Sequence, residues 1–537
     1  MRHGLPIALA AAFCGLSAVS ARTAPGQEPQ TFRAGARLVR VSVVVHDNRG
    51  RPVHGLTPAD FQIFEDGREQ TVSLFLVEDS AIRATTAGRP DTYSNRIDGP
   101  GATGVTLILF DRLNTRYEHQ LQARAHVIKY LEQVRPDDRV GLYVLDGDAL
   151  RVLHGFTRDA ASLLDALQRA RARESGALAG SEETAVAPPS TGDAAEDAEL
   201  EAWLQETERR VRGFFMQRRI DATAGALETL ATHLAGVRGR KNIIWISSSF
   251  PLRYHDGISM QNAGPDVLRA TRALNHADIS IYPVDARGLV GAFATSPSAR
   301  QQQFTTLGTV MGPVETSQVV AERTGGRAFF NTNDLGSAIR RAVEDTSLTY
   351  VLGYYPGEAN WDGRFRDITV KVRRRGVDVR HRKGYFAIPA AAPAPAADRA
   401  AAMFDALSAP LDASAIGLTA RVSPASGGGV TLTIRVDPDG IRLEGEGDRW
   451  EGRVAIAIAQ GLPDGRLFDS LNTVVPLRFD AATRERLLDE GLSLTRTIDI
   501  RLDAHQIRIA VMDPPTGRIG TVTIPASSAR SARDGRW

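Results

Sequence analysis

The chain has 537 residues, of which 42% are hydrophobic and 24% are charged, and its formal net charge is +2 at pH 7. That length exceeds what one hydrophobic core supports, so several domains are expected. A net charge so near zero provides no field that would attract nucleic acid, and a single cysteine, Cys14, excludes a disulfide framework.

The first residues have the pattern of an export signal. The pair Arg2-His3 precedes an apolar stretch from Leu5 to Leu16, and Val19-Ser-Ala21 is typical of a small-residue cleavage site. The apolar stretch is shorter than the ~20 residues that cross a bilayer, and no later segment is long enough. The sequence therefore predicts a signal peptide over residues 1–21 and a secreted or periplasmic mature chain without a transmembrane segment.

A small β domain is predicted over residues 33–80. Alternating apolar and polar residues lead into a hairpin turn at Asp47-Asn-Arg-Gly50, and Asp66-Gly67 marks a second turn. So short a segment is marginal as an independent core, so it should dock on its neighbour. Residues 81–104 are rich in Gly, Thr, Arg and Pro and are predicted to be a linker.

Strand-like and helix-like segments alternate over residues 105–355. This pattern predicts an α/β domain with a doubly wound, mostly parallel sheet. Residues 174–201 are rich in Ala, Gly and acidic residues with almost no large apolar side chains, so a flexible insertion is predicted there.

The remainder of the chain is predicted to be mainly β-structure. Residues 356–387 read as a β extension and residues 388–397 as an Ala/Pro linker. Short strands with frequent turns over 398–526 favour a C-terminal domain like a β-sandwich, followed by a tail over 527–537.

Polar residues follow two of the apolar strands in the α/β domain. The first strand ends in Asp111-Arg-Leu-Asn-Thr115, and a later one ends in Ser247-Ser-Ser249. Ligands of open α/β sheets gather outside the carboxyl ends of the strands. Asp111, Asn114 and Thr115 are therefore candidates for binding a ligand or a protein partner.

The strand, helix, strand order over 105–355 and the turn at Asp111 resemble the von Willebrand factor A domain. The resemblance implies a metal ion-dependent adhesion site in which Asp111 and Thr115 match the first turn and Thr223 matches the second-loop threonine. Leu113 stands where that family has its first serine, with Asn114 as a neighbouring substitute, and Ser248 stands where it has an aspartate. The implied ligand set is degenerate.

Coordination chemistry predicts weak or absent binding of Mg²⁺ or Ca²⁺ at this set. A hard divalent cation prefers about six oxygen ligands with carboxylates carrying the charge, and Asp111 would be nearly alone. A partner's carboxylate could complete the shell, so that cation and partner would raise each other's affinity equally. An alternative is that Asp111 and Thr115 cap the following helix, Tyr117 to Gln133. Asp285 could add an outer carboxylate or could pair with Arg287.

Other polar and aromatic groups also have two interpretations. Asp437-Pro-Asp-Gly440 could bind Ca²⁺ or form a hairpin turn, and Tyr354-Tyr355 could anchor a partner or fill a core. His126 and His233 are expected to be solvent-facing or satisfied packing residues rather than bases.

The motifs taken together resemble the VWFA-related proteins that bacteria export, over roughly residues 38–387. No Gly-x-Ser-x-Gly, His-Glu-x-x-His or phosphate-binding glycine loop is present. The sequence thus predicts an exported, non-enzymatic binding or adhesion protein that recognises a protein partner. The alternatives are a structural envelope scaffold with a vestigial metal site and, less favoured, an uncharacterised hydrolase.

Overall fold

The computed structural model describes residues 37–79, 92–96, 104–135, 138–147, 149–173, 175–181, 193–248, 253–255, 260–287, 316–330, 334–357, 361–388, 395–425, 429–446 and 448–533. The predicted signal peptide lies outside these ranges, as do most of the two predicted linkers. None of the helices in these ranges is long and apolar enough to cross a membrane.

The strands of the first 300 residues are β1 (Val39–Asp47), β2 (Phe61–Glu65), β3 (Arg68–Gln70), β4 (Leu74–Asp79), β5 (Thr92–Ser94), β6 (Val105–Asp111), β7 (Val140–Asp146), β8 (Ala149–Thr157), β9 (Lys241–Ser247), β10 (Arg253–His255), β11 (Met260–Asn262) and β12 (Ile279–Asp285). The later strands are β13 (Leu348–Tyr354), β14 (Phe365–Val372), β15 (Val377–Arg380), β16 (Gly384–Phe386), β17 (Leu418–Pro424), β18 (Val430–Val436), β19 (Glu444–Glu446), β20 (Arg449–Gly461), β21 (Leu467–Asp480), β22 (Leu492–Ile498), β23 (Gln506–Asp513) and β24 (Arg518–Pro525).

The helices are α1 (Tyr117–Leu131), α2 (Ala160–Arg169), α3 (Gly176–Ser181), α4 (Ala194–Leu234), α5 (Gly264–His276), α6 (residues 316–324), α7 (Leu335–Glu344), α8 (Ala396–Ser408), α9 (Ala481–Glu490) and α10 (Ala526–Arg533). Four of them begin at an aspartate whose carboxylate accepts a hydrogen bond from a free backbone N–H of the first turn, which stabilises the helix start: Asp159, Asp193, Asp334 and Asp480.

The central sheet of the α/β domain has the order β12-β9-β6-β7-β8. All pairs are parallel except β7 with β8, and a parallel bridge from Val284 to Phe329 adds one further chain segment beyond β12. Counted along the chain, this is the order 3-2-1-4-5-6 of doubly wound sheets. The protein is thus of mixed α/β class, with one mixed parallel and antiparallel sheet.

Both faces of this sheet are covered by helices. On β6, Leu107 and Leu109 pack in a core with α4 and α5, whereas Ile108 and Phe110 pack in a second core with α1, α2 and α7. All seven residues of β6 are consequently buried, which explains why Leu107 to Phe110 form an apolar run.

The N-terminal strands fold together with strands near residue 370. One sheet has the order β15-β1-β13-β4 and the other has the order β16-β14-β2-β3. A single buried cluster, which includes Val43, Ile63, Tyr350 and Ile368, lies between them. The predicted domains 33–80 and 356–387 are therefore parts of one two-sheet unit, and β13 belongs to it rather than to the α/β domain. The physical reason is that neither segment alone buries enough apolar area.

The C-terminal unit also consists of two sheets. The first sheet has the strand order β22-β18-β17-β5. In the second sheet, β20 pairs with β19, β21 and β23, and β23 also pairs with β24. Side chains such as Leu432 and Ile434 of the first sheet and Ile456 and Ile509 of the second form one core.

Three predicted segments differ from the structure. In the predicted linker 81–104, residues 92–94 form β5, which pairs with β17. The predicted flexible insertion 174–201 contains α3 and the beginning of α4. In the predicted tail 527–537, α10 buries Ala529 and Ala532 completely. Composition missed β5, α3 and α10 because each is stabilised by contacts with residues distant in sequence, whereas the exposed start of α4 extends a helix whose second half is buried.

The end of α4 docks against the C-terminal unit. His233 Nδ1 donates to the carbonyl of Asp412 at 2.6 Å, its Nε2 accepts from the Tyr143 hydroxyl at 2.8 Å, and Ser414 Oγ donates to the His233 carbonyl. A Cβ at Gly236 would lie 1.7 Å from the Ser414 carbonyl oxygen, so only glycine fits there. His233 is a satisfied packing residue, as predicted.

The docking of His233 predicts a loss of stability in acid. Burial lowers the pKa of His233 in the folded protein. Its contribution is therefore fully present above the unfolded pKa of about 6.5. It is lost as pH falls below that value, by at most about 1.4 kcal/mol per pH unit. The melting temperature should fall between pH 7.5 and 5.5, and by less in His233→Gln.

The control for this comparison is His154→Gln, at an imidazole on β8 whose Nδ1 bonds only the neighbouring carbonyl of Gly155. Burial also lowers the pKa of four other histidines: His46, His119, His276 and His381. Every variant is therefore expected to keep some loss of stability in acid. Identical pH profiles for the parent and His233→Gln would contradict the prediction.

Candidate functional site

The candidate site lies where β6 and β9 end side by side. The helix after β6, α1, packs on one face of the sheet, and the helix after β9, α5, packs on the other. A doubly wound sheet has its binding crevice at such a reversal point. The turn after β6, residues 111–116, is in this position.

The carboxylate of Asp111 is held by donors on both oxygens. Oδ1 accepts from the backbone N–H of Asn114 at 3.0 Å, and Oδ2 accepts from Asn114 Nδ2 at 2.8 Å and Trp245 Nε1 at 2.9 Å. The residue is 1% exposed. Burial raises the pKa of Asp111, while the hydrogen bonds from Asn114 and Trp245 act against that rise. The carboxylate organises this turn.

Asn114 connects this turn to α4. Its Nδ2 also donates to Thr223 Oγ1 at 2.8 Å, and Thr223 Oγ1 donates in turn to the Arg219 carbonyl, one helical turn earlier, at 2.7 Å. Three of the five predicted ligand residues, Asp111, Asn114 and Thr223, are thus joined in one hydrogen-bond network, which we call the Asp111 network.

A buried arginine completes the Asp111 network. Arg219, on α4, is 2% exposed. Its Nε donates to Asn114 Oδ1 at 3.0 Å and its Nη1 to Ser181 Oγ, on α3, at 2.6 Å. Sequence reasoning missed this residue, although its position four residues before Thr223 places both on one face of the helix.

The other two predicted ligands lie at the margin. Thr115 is 2% exposed, and its hydroxyl has no hydrogen-bond partner within the described part of the chain. It borders a cavity of about 20 Å³ that is also lined by Asp111 and Gln120, room for about one water molecule. Ser248 Oγ instead lies 3.3 Å from His119 Nδ1. The structure does not bring Ser248 into the Asp111 network.

The turn after β6 supplies no oxygen ligand at Leu113, and the expectation that it caps α1 is corrected. Leu113, at the position of a family serine, is completely buried in the core beside α4. Asp111 and Thr115 do not cap α1, because its N-cap residue is Arg116 and no side-chain capping bond is present. Five residues, 112–116, separate Asp111 from the first residue of the helix.

The ligand set does not fit a divalent cation in this arrangement. The oxygens of Asp111 and Thr223 already accept hydrogen bonds, and the guanidinium of Arg219 brings a positive charge to Asn114, the amide between them. A cation would have to displace these donors and approach another buried cation, which Coulomb repulsion opposes. Nowhere in the described ranges do three or more His, Cys, Asp or Glu side chains form a metal-binding group.

This geometry gives a direct prediction for metal titration. Millimolar Mg²⁺ or Ca²⁺ should leave the melting temperature of the full chain unchanged, because a ligand raises stability only by binding the folded state. Isothermal calorimetry should show no saturable heat. A site with micromolar Kd, as in calcium sensors, would contradict the prediction.

The prediction that the turn after β6 contacts a partner directly is also corrected by its burial. Asp111, Asn114 and Thr115 were predicted to meet a partner, yet each is at most 2% exposed. They lie beneath the surface, so in this conformation a partner cannot reach their side chains.

The remaining candidates have structural roles. The Asp285 carboxylate accepts hydrogen bonds from Arg287 Nε at 2.9 Å and Arg287 Nη2 at 2.7 Å. Asp285 therefore forms the ion pair that was the alternative to a role as an outer metal carboxylate. Tyr354 is completely buried and its hydroxyl donates to Glu65 Oε2 at 2.6 Å. Residues 438–440 form a single turn, and Asp437 pairs with Arg96 at 3.0 Å.

Comparison with known proteins adds little to this geometry. No family model matches the chain, and no curated protein matches it. Among solved structures, the chain is similar to one titled "Crystal Structure of the SpRpn10 VWA domain", at 13% identity and a TM-score of 0.20, covering 44% of this chain and 94% of that chain. A likeness with so low a score carries no argument, and the α/β assignment rests on the strand order given above.

Proposed function

We propose that this protein is an exported, non-enzymatic binding protein whose α/β domain is of the von Willebrand factor A type and recognises a protein partner without a metal ion. The observation that carries the proposal is the Asp111 network, in which Arg219 occupies the crevice that a cation would share with Asp111, Asn114 and Thr223.

The strand order and the position of the network support the A-type assignment. Residues that the sequence resemblance paired with the adhesion motif, Asp111, Thr115 and Thr223, lie at the reversal point of a sheet with the order 3-2-1-4-5-6. At these positions the oxygens of Asp111 and Thr223 accept hydrogen bonds from Asn114.

We assign partner recognition to the beginning of α1, the helix that follows the turn held by the Asp111 network. Tyr117 is 45% exposed and Leu121 is 43% exposed. Their spacing of four residues places them on one face of the helix. Exposed aromatic side chains of this kind often supply the main binding energy of an interface. The buried network would hold the turn from which this helix starts.

Quantitative capture of envelope proteins tests the assignment. The wild type, the double variant Tyr117→Ala/Leu121→Ala and the control Val152→Ala would be compared as baits. Val152 is 45% exposed on β8, so the control removes a similar apolar surface from the same domain. We expect specific partners with the wild type and the control, at least a tenfold loss with the double variant, and the same recovery with EDTA.

A structural envelope scaffold is the second candidate, and the interlocked domains favour it. The N-terminal strand β1 pairs with β13, and β5 pairs with β17 of the C-terminal unit, so distant chain segments hold the units together. Equal recovery by the wild type and the double variant would favour this scaffold over recognition through α1. Turnover of ester, peptide or glycoside test substrates would instead favour the hydrolase alternative.

Export is proposed on the N-terminal pattern alone. Cleavage after Ala21 would leave Arg22 as the first residue of the mature chain. N-terminal sequencing of protein from the periplasm or medium is the measurement, and an intact Met1 on that material would contradict export by this signal.

A further inference from the structure

The first half of α4 carries an apolar stripe that no element of the described residues buries. All buried residues of this 41-residue helix lie at Gly213 or beyond it. Before Gly213, Trp203 is 62% exposed and Val211 is 47% exposed, and directly after it Phe214 is 62% exposed. With Leu200 and Leu204 they lie within an arc of about 100° on one side of the helix, given 3.6 residues per turn. We call this set the α4 stripe.

Four residues of the α4 stripe are placed symmetrically about Thr207, and the fifth, Leu204, would face Arg210 of a second copy. Leu200 and Phe214 each lie two helical turns from Thr207, and Trp203 and Val211 each lie about one turn from it. If two copies of the helix run antiparallel with Thr207 on the two-fold axis, Leu200 meets Phe214 of the second copy and Trp203 meets Val211 of the second copy. This is the self-complementary pattern that an isologous interface requires.

The charges of α4 select the same arrangement. Apart from Glu208, acidic side chains near the axis lie before it and basic ones after it: Glu196, Glu199, Glu201 and Glu206, then Arg209, Arg210 and Arg212. Within each helix, Arg209 and Arg210 also pair with Glu206. An antiparallel pair places each acidic segment beside the basic segment of the other copy, and it also opposes the helix dipoles. A parallel pair would align like charges.

The charge pattern disfavours a membrane surface as the occupant. Helices that lie on anionic bilayers carry Lys and Arg along the polar face. Here the half of the helix nearest Trp203 is acidic, so anionic headgroups would be repelled.

We propose that the protein forms a two-fold dimer in which the α4 stripes of two copies pack antiparallel around Thr207. This surface is separate from the α1 surface assigned to partner recognition, so each can fail without the other. The dimer would project the two α/β domains to opposite sides of the helix pair and would make each assembly bivalent for its partner.

Sedimentation velocity of the full chain over a range of concentrations is the first test. We expect conversion from monomer to dimer in the wild type, and a loss of at least tenfold in association for Trp203→Ala/Phe214→Ala. The control is Phe404→Ala on α8, a side chain that is 59% exposed. Equal melting temperatures would show that the variants are folded. A wild type that stays monomeric at all concentrations overturns the proposal, as would binding of the monomer to anionic vesicles through the stripe.

Cysteine cross-linking tests the geometry, in chains that also carry Cys14→Ala. Thr207→Cys lies on the axis, so its Cα atoms should come within the roughly 7 Å limit for a disulfide. Leu200→Cys should not cross-link with its own counterpart in the antiparallel pair, since the two would lie about 21 Å apart along the helix pair, from the 1.5 Å rise per residue. Cross-linking of both variants would indicate a parallel pair and overturn the arrangement.

Discussion

Replacing Arg219 with alanine is expected to lower the free energy of unfolding of the α/β domain by about 3 kcal/mol. The guanidinium donates to Asn114 Oδ1 and Ser181 Oγ, and both acceptors are in buried residues. Hydrogen bonds from a charged donor contribute about 1.5–3 kcal/mol each, and buried acceptors left without a donor add to the cost. Urea denaturation followed by the fluorescence of Trp245, which bonds Asp111, measures the loss.

Arg169→Ala on α2 is the matched control. Its side chain is 73% exposed and pairs with Asp165 at the surface. Removing such a pair changes stability by less than about 1 kcal/mol. Arg219→Lys should be intermediate, because lysine keeps the charge but lacks the planar fork. If Arg219→Ala were as stable as Arg169→Ala, the Asp111 network would not be a stabilising element and the argument against cation binding would fail with it.

Replacing Asp345 with alanine is expected to be the most destabilising of the substitutions, by about 4 kcal/mol. Asp345 follows α7 and its side chain is completely buried. It accepts from the Tyr282 hydroxyl at 2.5 Å and from Arg380 Nη1 and Nη2 at 2.5 and 2.9 Å. His46 Nε2 lies 3.7 Å away. These contacts join the α/β domain to β1 and β15 of the N-terminal two-sheet unit.

The large effect follows from the charge that would remain. Without Asp345, Arg380 keeps a largely buried guanidinium that has lost its carboxylate, and breaking a buried pair in this way costs about 3–5 kcal/mol. Asp378→Asn is the control, because this carboxylate also pairs with Arg380, at 3.4 Å, but is 58% exposed. Its loss should cost less than about 1 kcal/mol. Equal costs for the two variants, measured by chemical denaturation, would contradict the assignment.

Local sequence patterns were sufficient for the elements of the α/β sheet. The largely apolar segments of β6, β9 and β12 predicted buried parallel strands, since a strand covered on both faces has no polar side. The Asp111 turn was predicted to follow the first strand because polar residues succeed the apolar run there. Both features depend on neighbours in sequence, which is the information that periodicity carries.

Tertiary structure alone decided what the turn does and how the domains join. Asn114 and Arg219 are 105 positions apart, and Arg380 lies 35 positions beyond Asp345. The pairing of β1 with β13 also joins residues far apart in sequence, such as Val43 and Tyr350. Nothing in the local pattern distinguishes a buried arginine on α4 from an exposed one, because side-chain burial depends on which elements pack against the helix. The sequence by itself determined the strands and the candidate turn, whereas long-range packing placed a guanidinium, rather than an open ligand position, beside it.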